Sequence, residues 1–179
     1  AKANALLGIN RTEDAITMFT ELLSADEDRP GVWLALGHAY KTTGKKQQAV
    51  ESYLKAAHYH QQFGDAYWSL ANMKSYTFDG KALQDMADIE AQSSIGVEDR
   101  IHLCFALGKG FEGGGQFEKS FSYYDKGNRL KLISTGYDIA RTEAAMAAQI
   151  EACRGESFAN LHGGFPSPEP IFIVGMPRA

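Results

Sequence analysis

Between residues 30 and 60, large and small apolar positions recur with the period of a helix, and the pattern is interrupted once, at Gly44. Trp33, Leu36, Gly37 and Tyr40 fall at i, i+3, i+4 and i+7 and therefore share one helical face. Ala49, Tyr53 and Ala56 mark a second helix after Gly44. Small side chains at Gly37 and Ala49 let two helices approach closely, while Trp33, Tyr40 and Tyr53 are large enough to fill the space around the crossing. The stretch predicts one helical hairpin.

The pattern repeats. At a shift of 34 residues upstream, Ala3, Leu6, Asn10, Ala15, Ile16, Phe19 and Leu22 take the places of Gly37, Tyr40, Gly44, Ala49, Val50, Tyr53 and Ala56. Asn is the best substitute for Gly where a helix end needs a left-handed residue, so Asn10 is chemically consistent with Gly44. The first helix of this repeat is expected to begin upstream of Ala1. Downstream at the same shift, Tyr67, Leu70 and Ala71 replace Trp33, Leu36 and Gly37, but Lys74 falls where Tyr40 was and residues 75–80 replace the turn. We therefore expect a third hairpin with an ordinary first helix and an altered second one over residues 81–92. A fourth hairpin follows at a shift of 71, carried by Cys104, Leu107, Gly108 and Phe111, then by Gly115, Ser120, Tyr124 and Gly127. Its inserted residues fall in the loop 93–97, and Gly113, Gly114 and Gly115 should make a soft, locally mobile helix end.

The template hairpin resembles the tetratricopeptide repeat, with W-x2-L-G-x2-Y followed by Ala, aromatic and Ala positions. The fold class expected is all-α: a right-handed array of about four helical hairpins over residues 1–154. It is closed by an Ala-rich helix over 137–153 whose stripe of Ile139, Met146, Ile150 and Cys153 covers the last hairpin. Residues 155–170 contain Gly163, Gly164, Pro166, Pro168 and Pro170 and should run extended as a linker. Residues 171–174 are apolar on both faces, as in a buried parallel strand, and would begin an α/β domain that the sequence does not contain.

Composition narrows the reading. With 44% hydrophobic and 22% charged residues the chain can bury a core, and a net charge of −4 gives no footprint for nucleic acid. The longest apolar run, 171–174, is far short of the roughly 20 residues of a membrane-spanning helix. Cys104 and Cys153 form no C-x-x-C pair and are expected as reduced, buried thiols in a cytoplasmic protein. Cys and His residues nowhere approach metal-ligand spacing, and His58 and His60 lie two apart, on opposing helix faces, so no metal site is expected. His102 is expected at a helix surface or in packing.

The last residues carry the only recognisable chemistry. The run P-I-F-I-V-G-M-P-R hands a strand to a turn bearing a basic residue, an arrangement in which backbone N–H groups and Arg178 could face an anion. A G-x4-G-K-[ST] nucleotide loop does not fit, because Pro177 falls inside it. The run is similar to the start of the 5′-phosphosulfate-binding loop of sulfotransferases, in the bacterial form that places tetratricopeptide repeats ahead of the catalytic domain. Residues 65–72 (DAYWSLAN) and 102–109 (HLCFALGK) also look like that family. The resemblance implies 3′-phosphoadenosine 5′-phosphosulfate as donor for a parent protein, with Gly175, Pro177 and Arg178 as part of the cofactor loop. Ala179 stands where that family has Ser, and the rest of the loop, the 3′-phosphate site and the catalytic base are absent, so this chain itself should be inert and hold no cofactor.

By analogy with other tetratricopeptide arrays, residues one, five and eight places after Trp33 and its equivalents should line a groove. These are Leu34, His38 and Lys41, then Trp68, Asn72 and Ser75, then Phe105, Lys109 and Glu112. Such a mixture could hold an extended peptide with an acidic group, or remain a solvated or self-filled face. Two functions follow: the repeat arm of a sulfotransferase-like enzyme, or a free-standing peptide-binding adaptor.

Overall fold

The computed structural model describes residues 2–154, and these are helical apart from turns and short loops. The expected linker 155–170, the strand 171–174 and the partial loop with Gly175, Pro177 and Arg178 lie outside the described residues. The chain divides into two units, at Gly136 and Tyr137.

The first unit contains eight described helices: α1 (Lys2–Gly8), α2 (Thr12–Ala25), α3 (Pro30–Thr42), α4 (Lys46–Tyr59), α5 (Gly64–Ala71), α6 (Gly80–Glu90), α7 (Val97–Gly113) and α8 (Phe117–Thr135). Three tight hairpins, α1/α2, α3/α4 and α7/α8, close through one device. Asn10, Gly44 and Gly115 adopt φ of 60°, 77° and 72°. Around each, the N–H one residue further on bonds back across the helix end: Arg11 to Leu6, Lys45 to Tyr40 and Gln116 to Phe111, each at 2.9 Å. This is the Schellman closure, which satisfies the last carbonyls of a helix and turns the chain back.

The cores of the hairpins follow the expected positions. Ala15, Ala49, Tyr53 and Ala56 are fully buried, and Phe19 nearly so. Leu22, aligned with Ala56, is instead exposed, and Leu23 takes the buried position. Cys104 is buried as expected, and burial pushes its thiol up to about 12. Cys153 is exposed rather than packed in a core.

The third hairpin departs from expectation in its first helix, not its second. α5 has only 8 residues, against 13 in α3 and 17 in α7, whereas α6 is a regular helix started by the Asp79 carboxylate, which accepts from Ala82 N–H at 2.7 Å. The cause is Lys74. Continuing α5 would carry a lysine into the position that Tyr40 and Phe111 fill in the neighbouring hairpins, and an unpaired buried ammonium is strongly unfavourable. The helix stops, Lys74 and Ser75 face solvent, and Met73 and Phe78 enter the core. Tyr76 packs edge-on against Phe78 with ring centroids 5.1 Å apart. α5 then packs on α4 and α7 and α6 on α7, while α5 and α6 have little mutual contact: the hairpin is opened.

Successive repeats are joined by polar contacts about one repeat apart in sequence. Lys45 pairs with Glu13 at 2.9 Å, the Tyr59 hydroxyl donates to Glu27 at 2.7 Å, and Gly64 N–H donates to Asp99 at 2.9 Å. Lys126 pairs with Glu90 at 2.7 Å.

The second unit is described through α9 (Ile139–Ala152), which starts on Asp138, whose carboxylate accepts from Ala140 N–H at 3.0 Å. α9 buries none of its residues, and its stripe of Ile139, Met146 and Ile150 is exposed.

Candidate functional site

The predicted groove residues come from α3, α5 and α7, the first helices of successive hairpins. The structure separates them into three groups. Leu34 is buried in the core and leaves that face. His38 is exposed, but its Nδ1 lies 3.0 Å from the fully buried Tyr53 hydroxyl, and Lys41 one turn on is exposed. Trp68 and Phe105 are brought together, with ring centroids 5.7 Å apart.

The aromatic surface continues beyond these two. Tyr124 of α8 packs beside Phe105 at 6.4 Å, so Trp68, Phe105 and Tyr124 form a half-buried row crossing from α5 over α7 to α8. The row exists because Gly108 brings α8 so close to α7 that a Cβ there would lie 2.8 Å from the Tyr124 ring. Tyr124 was legible only as a packing position, the equivalent of Tyr53. Its second role depends on its ring remaining partly open where Tyr53 is covered.

A polar edge lines the row. Lys109 pairs with Glu112 at 2.9 Å, and the Tyr124 hydroxyl donates to the same Glu112 oxygen at 3.2 Å. The Lys109 hydrogen bond, followed by that of Tyr124, holds the Glu112 carboxyl below its ordinary value. Burial first, then the Glu112 charge, pushes the Tyr124 phenol up to about 12, so it stays a neutral donor. Asn72 does not reach the row freely: its side-chain amide donates to the Trp68 carbonyl at 2.8 Å, closing its own helix. Ser75 lies past the end of α5 and is not a groove position on a helix.

At the other end, His38 is exposed overall, but desolvation of the ring edge that faces Tyr53 lowers its pKa, against the opposing pull of Asp65, and Lys41 lowers it further. Burial also pushes Tyr53 up to about 12. The His38, Tyr53 and Asp65 group was not predicted as a unit, since it joins helices of two hairpins. His58 meets Tyr59 edge-on and His60 lies tilted against Phe63, with centroids 5.2 Å and 5.6 Å apart. Among the described residues no three His, Cys, Asp or Glu side chains converge to hold a metal ion. None of the described helices is long and apolar enough to cross a membrane.

Residues 6–73 match the tetratricopeptide repeat family profile, and the array superposes on the crystal structure of MamA with a TM-score of 0.55. The unit has the fold of a tetratricopeptide-repeat array. The MamA match is 19% identical and covers 75% of this chain and 77% of that one. An uncharacterized protein of Aquifex aeolicus (strain VF5) is 24% identical over 181 residues, covering 99% of this chain. The chain spans 23% of the length of that relative. In this array α5, α7 and α8 carry the row, and Lys109 and Glu112 of α7 supply its polar edge.

Proposed function

We propose that the array is an interaction scaffold that binds an extended segment of a protein partner along the face of α3, α5 and α7. The observation that carries this is the continuous row of Trp68, Phe105 and Tyr124 bordered by Lys109 and Glu112. Large aromatic side chains held half-open by helix packing offer contact area with little rotamer entropy left to lose, which is what a binding anchor needs. Lys109 can exchange Glu112 for an acidic group on the partner, because exposed ion pairs are weak and easily replaced. The scaffold then acts as a peptide-binding adaptor, and a reducing cytoplasm suits its thiols Cys104 and Cys153, which form no disulfide among the described residues.

The test is partner capture by the wild-type array against Trp68→Ala and Lys109→Ala, with folding checked by circular dichroism. Loss of the same partners in both variants supports the reading, and an unchanged partner set sinks it.

A second reading is kept by one observation, the P-I-F-I-V-G-M-P-R run at 170–178. On that reading the array is the arm of a sulfotransferase-like protein and positions an acceptor or partner beside the sulfuryl-transfer domain. It predicts that a protein carrying the complete loop binds 3′-phosphoadenosine 5′-phosphate in calorimetry and that Arg178→Ala abolishes the binding. No heat of binding in that protein would refute it.

A further inference from the structure

We infer that the opened third hairpin carries a second docking groove, between α4 and α6, for a protein segment in which an apolar side chain is flanked by lysine or arginine. The inference is independent of the aromatic row, which lies on α5, α7 and α8 and shares no residue with this groove.

The groove is a product of the departure at Lys74. Where α3 and α4 fill the space between them, α5 is short and α6 has moved away to pack on α7, leaving a cleft of about 520 Å³. Its floor is apolar: Ala57 from α4, Leu70 from α5, Phe78 from the loop and Ile89 from α6, all buried residues that nonetheless line the cleft. Leu54 stands at its edge, 41% exposed, on a helix face otherwise polar. An apolar side chain entering here would cover Leu54 and the half-open rings of Tyr67 and Tyr76, which also line the cleft.

The rim decides what accompanies that side chain. Asp85 and Asp88, both exposed, project from successive turns of α6, and no lysine or arginine lines the cleft. Asp85 is paired with Lys81 at 2.6 Å, an exposed i,i+4 pair that a partner cation can replace. Asp88 accepts from the Gln84 amide at 2.9 Å and makes no ion pair among the described residues. Beside Asp85, the Tyr67 phenol is raised above its ordinary value, by burial first and then by that carboxylate, and so remains a neutral hydrogen-bonding group. An acidic rim over an apolar floor selects a cation next to an apolar anchor. It disfavours phosphate, nucleic acid and anionic lipid headgroups by charge repulsion.

The probe is a fluorescein-labelled decapeptide with a Leu-Phe core flanked by Lys, compared with a Glu-flanked version and with one whose core is Ser-Ser, in fluorescence anisotropy. The Lys-flanked peptide should bind. In the Trp68→Ala background, which removes the aromatic row as a competing site, the Glu-flanked and Ser-core peptides should bind at least about fivefold more weakly. Asp85→Asn with Asp88→Asn should weaken the Lys-flanked peptide by a similar factor, and Asp88→Lys should shift preference toward the Glu-flanked one. Both positions are exposed, so circular dichroism should show an unchanged fold. Trp68→Ala should leave the affinity unaltered. The inference is overturned if the Lys-flanked peptide fails to bind up to about millimolar concentration. It is equally overturned if the double substitution has no effect, or if Trp68→Ala abolishes binding and so moves the peptide to the other face.

Discussion

Gly37 of α3 lies against the ring of Tyr53 of α4 so closely that a Cβ at Gly37 would sit 2.6 Å from Tyr53 Cδ1. Gly108 and Tyr124 repeat the relationship at 2.8 Å in the last hairpin of the first unit. The glycine therefore sets the helix separation, and the aromatic ring fills the room that the missing side chain leaves.

Gly37→Ala tests this directly. Alanine improves helix propensity by about 1 kcal/mol, but overpacking a closed contact costs about 1–3 kcal/mol. The net expectation is destabilisation by up to about 2 kcal/mol in urea unfolding with an unchanged m-value. Gly31→Ala is the control: nothing lies within 4 Å of a Cβ there, so the same substitution should be neutral or stabilising.

The three left-handed closures give a second contrast. Gly44→Ala places a Cβ at φ 77° and should cost about 1–2 kcal/mol, whereas Asn10→Gly relieves the same strain at φ 60° and should not destabilise. Chemical denaturation of the two variants checks the opposite signs.

Glu90 is 3% exposed and is held by Lys126, with Arg100 Nε 3.9 Å away. Lys126 is itself half open to solvent, so the cost of breaking the pair falls on the carboxylate left behind. Lys126→Met should destabilise by about 2–4 kcal/mol, and adding Glu90→Met should recover much of the loss, because two packed apolar side chains replace a buried charge. Equal stability of the single and double variants in thermal melts would contradict this.

The pH dependence follows from His38. Its folded pKa is lowered by burial, so below the ordinary histidine value near 6.5 the unfolded chain takes up the proton first. Stability is fully present above about pH 6.5 and falls as the pH drops from there toward the lowered folded value. His38→Gln should flatten the melting temperature between about pH 7 and 5 relative to wild type.

Much of the array could be read from spacing. Ala49, Tyr53 and Ala56 are buried where the period placed them, and Asn10 adopts the left-handed conformation its alignment with Gly44 required. These positions are determined within one hairpin, over a few residues of chain. Of the residues expected to line a groove, Trp68 and Phe105 meet, a pairing that spacing did not specify, while Leu34 enters the core and Asn72 closes its own helix. Tyr124 was visible only as a packing residue, since its openness depends on what covers α8.

The periodic residues and the Gly or Asn turns were sufficient to set a helical-hairpin array, because side-chain size and backbone conformation act locally. The opening of the third hairpin was a matter for the assembled structure. Lys74 signalled that something must give, but a lysine can be kept from the core by ending either helix or by moving one. The outcome depends on α7, against which α5 packs so tightly that a Cβ on Gly64 would strike the Asp99 backbone. That choice lies in contacts between residues 35 apart in sequence, and no local period encodes it.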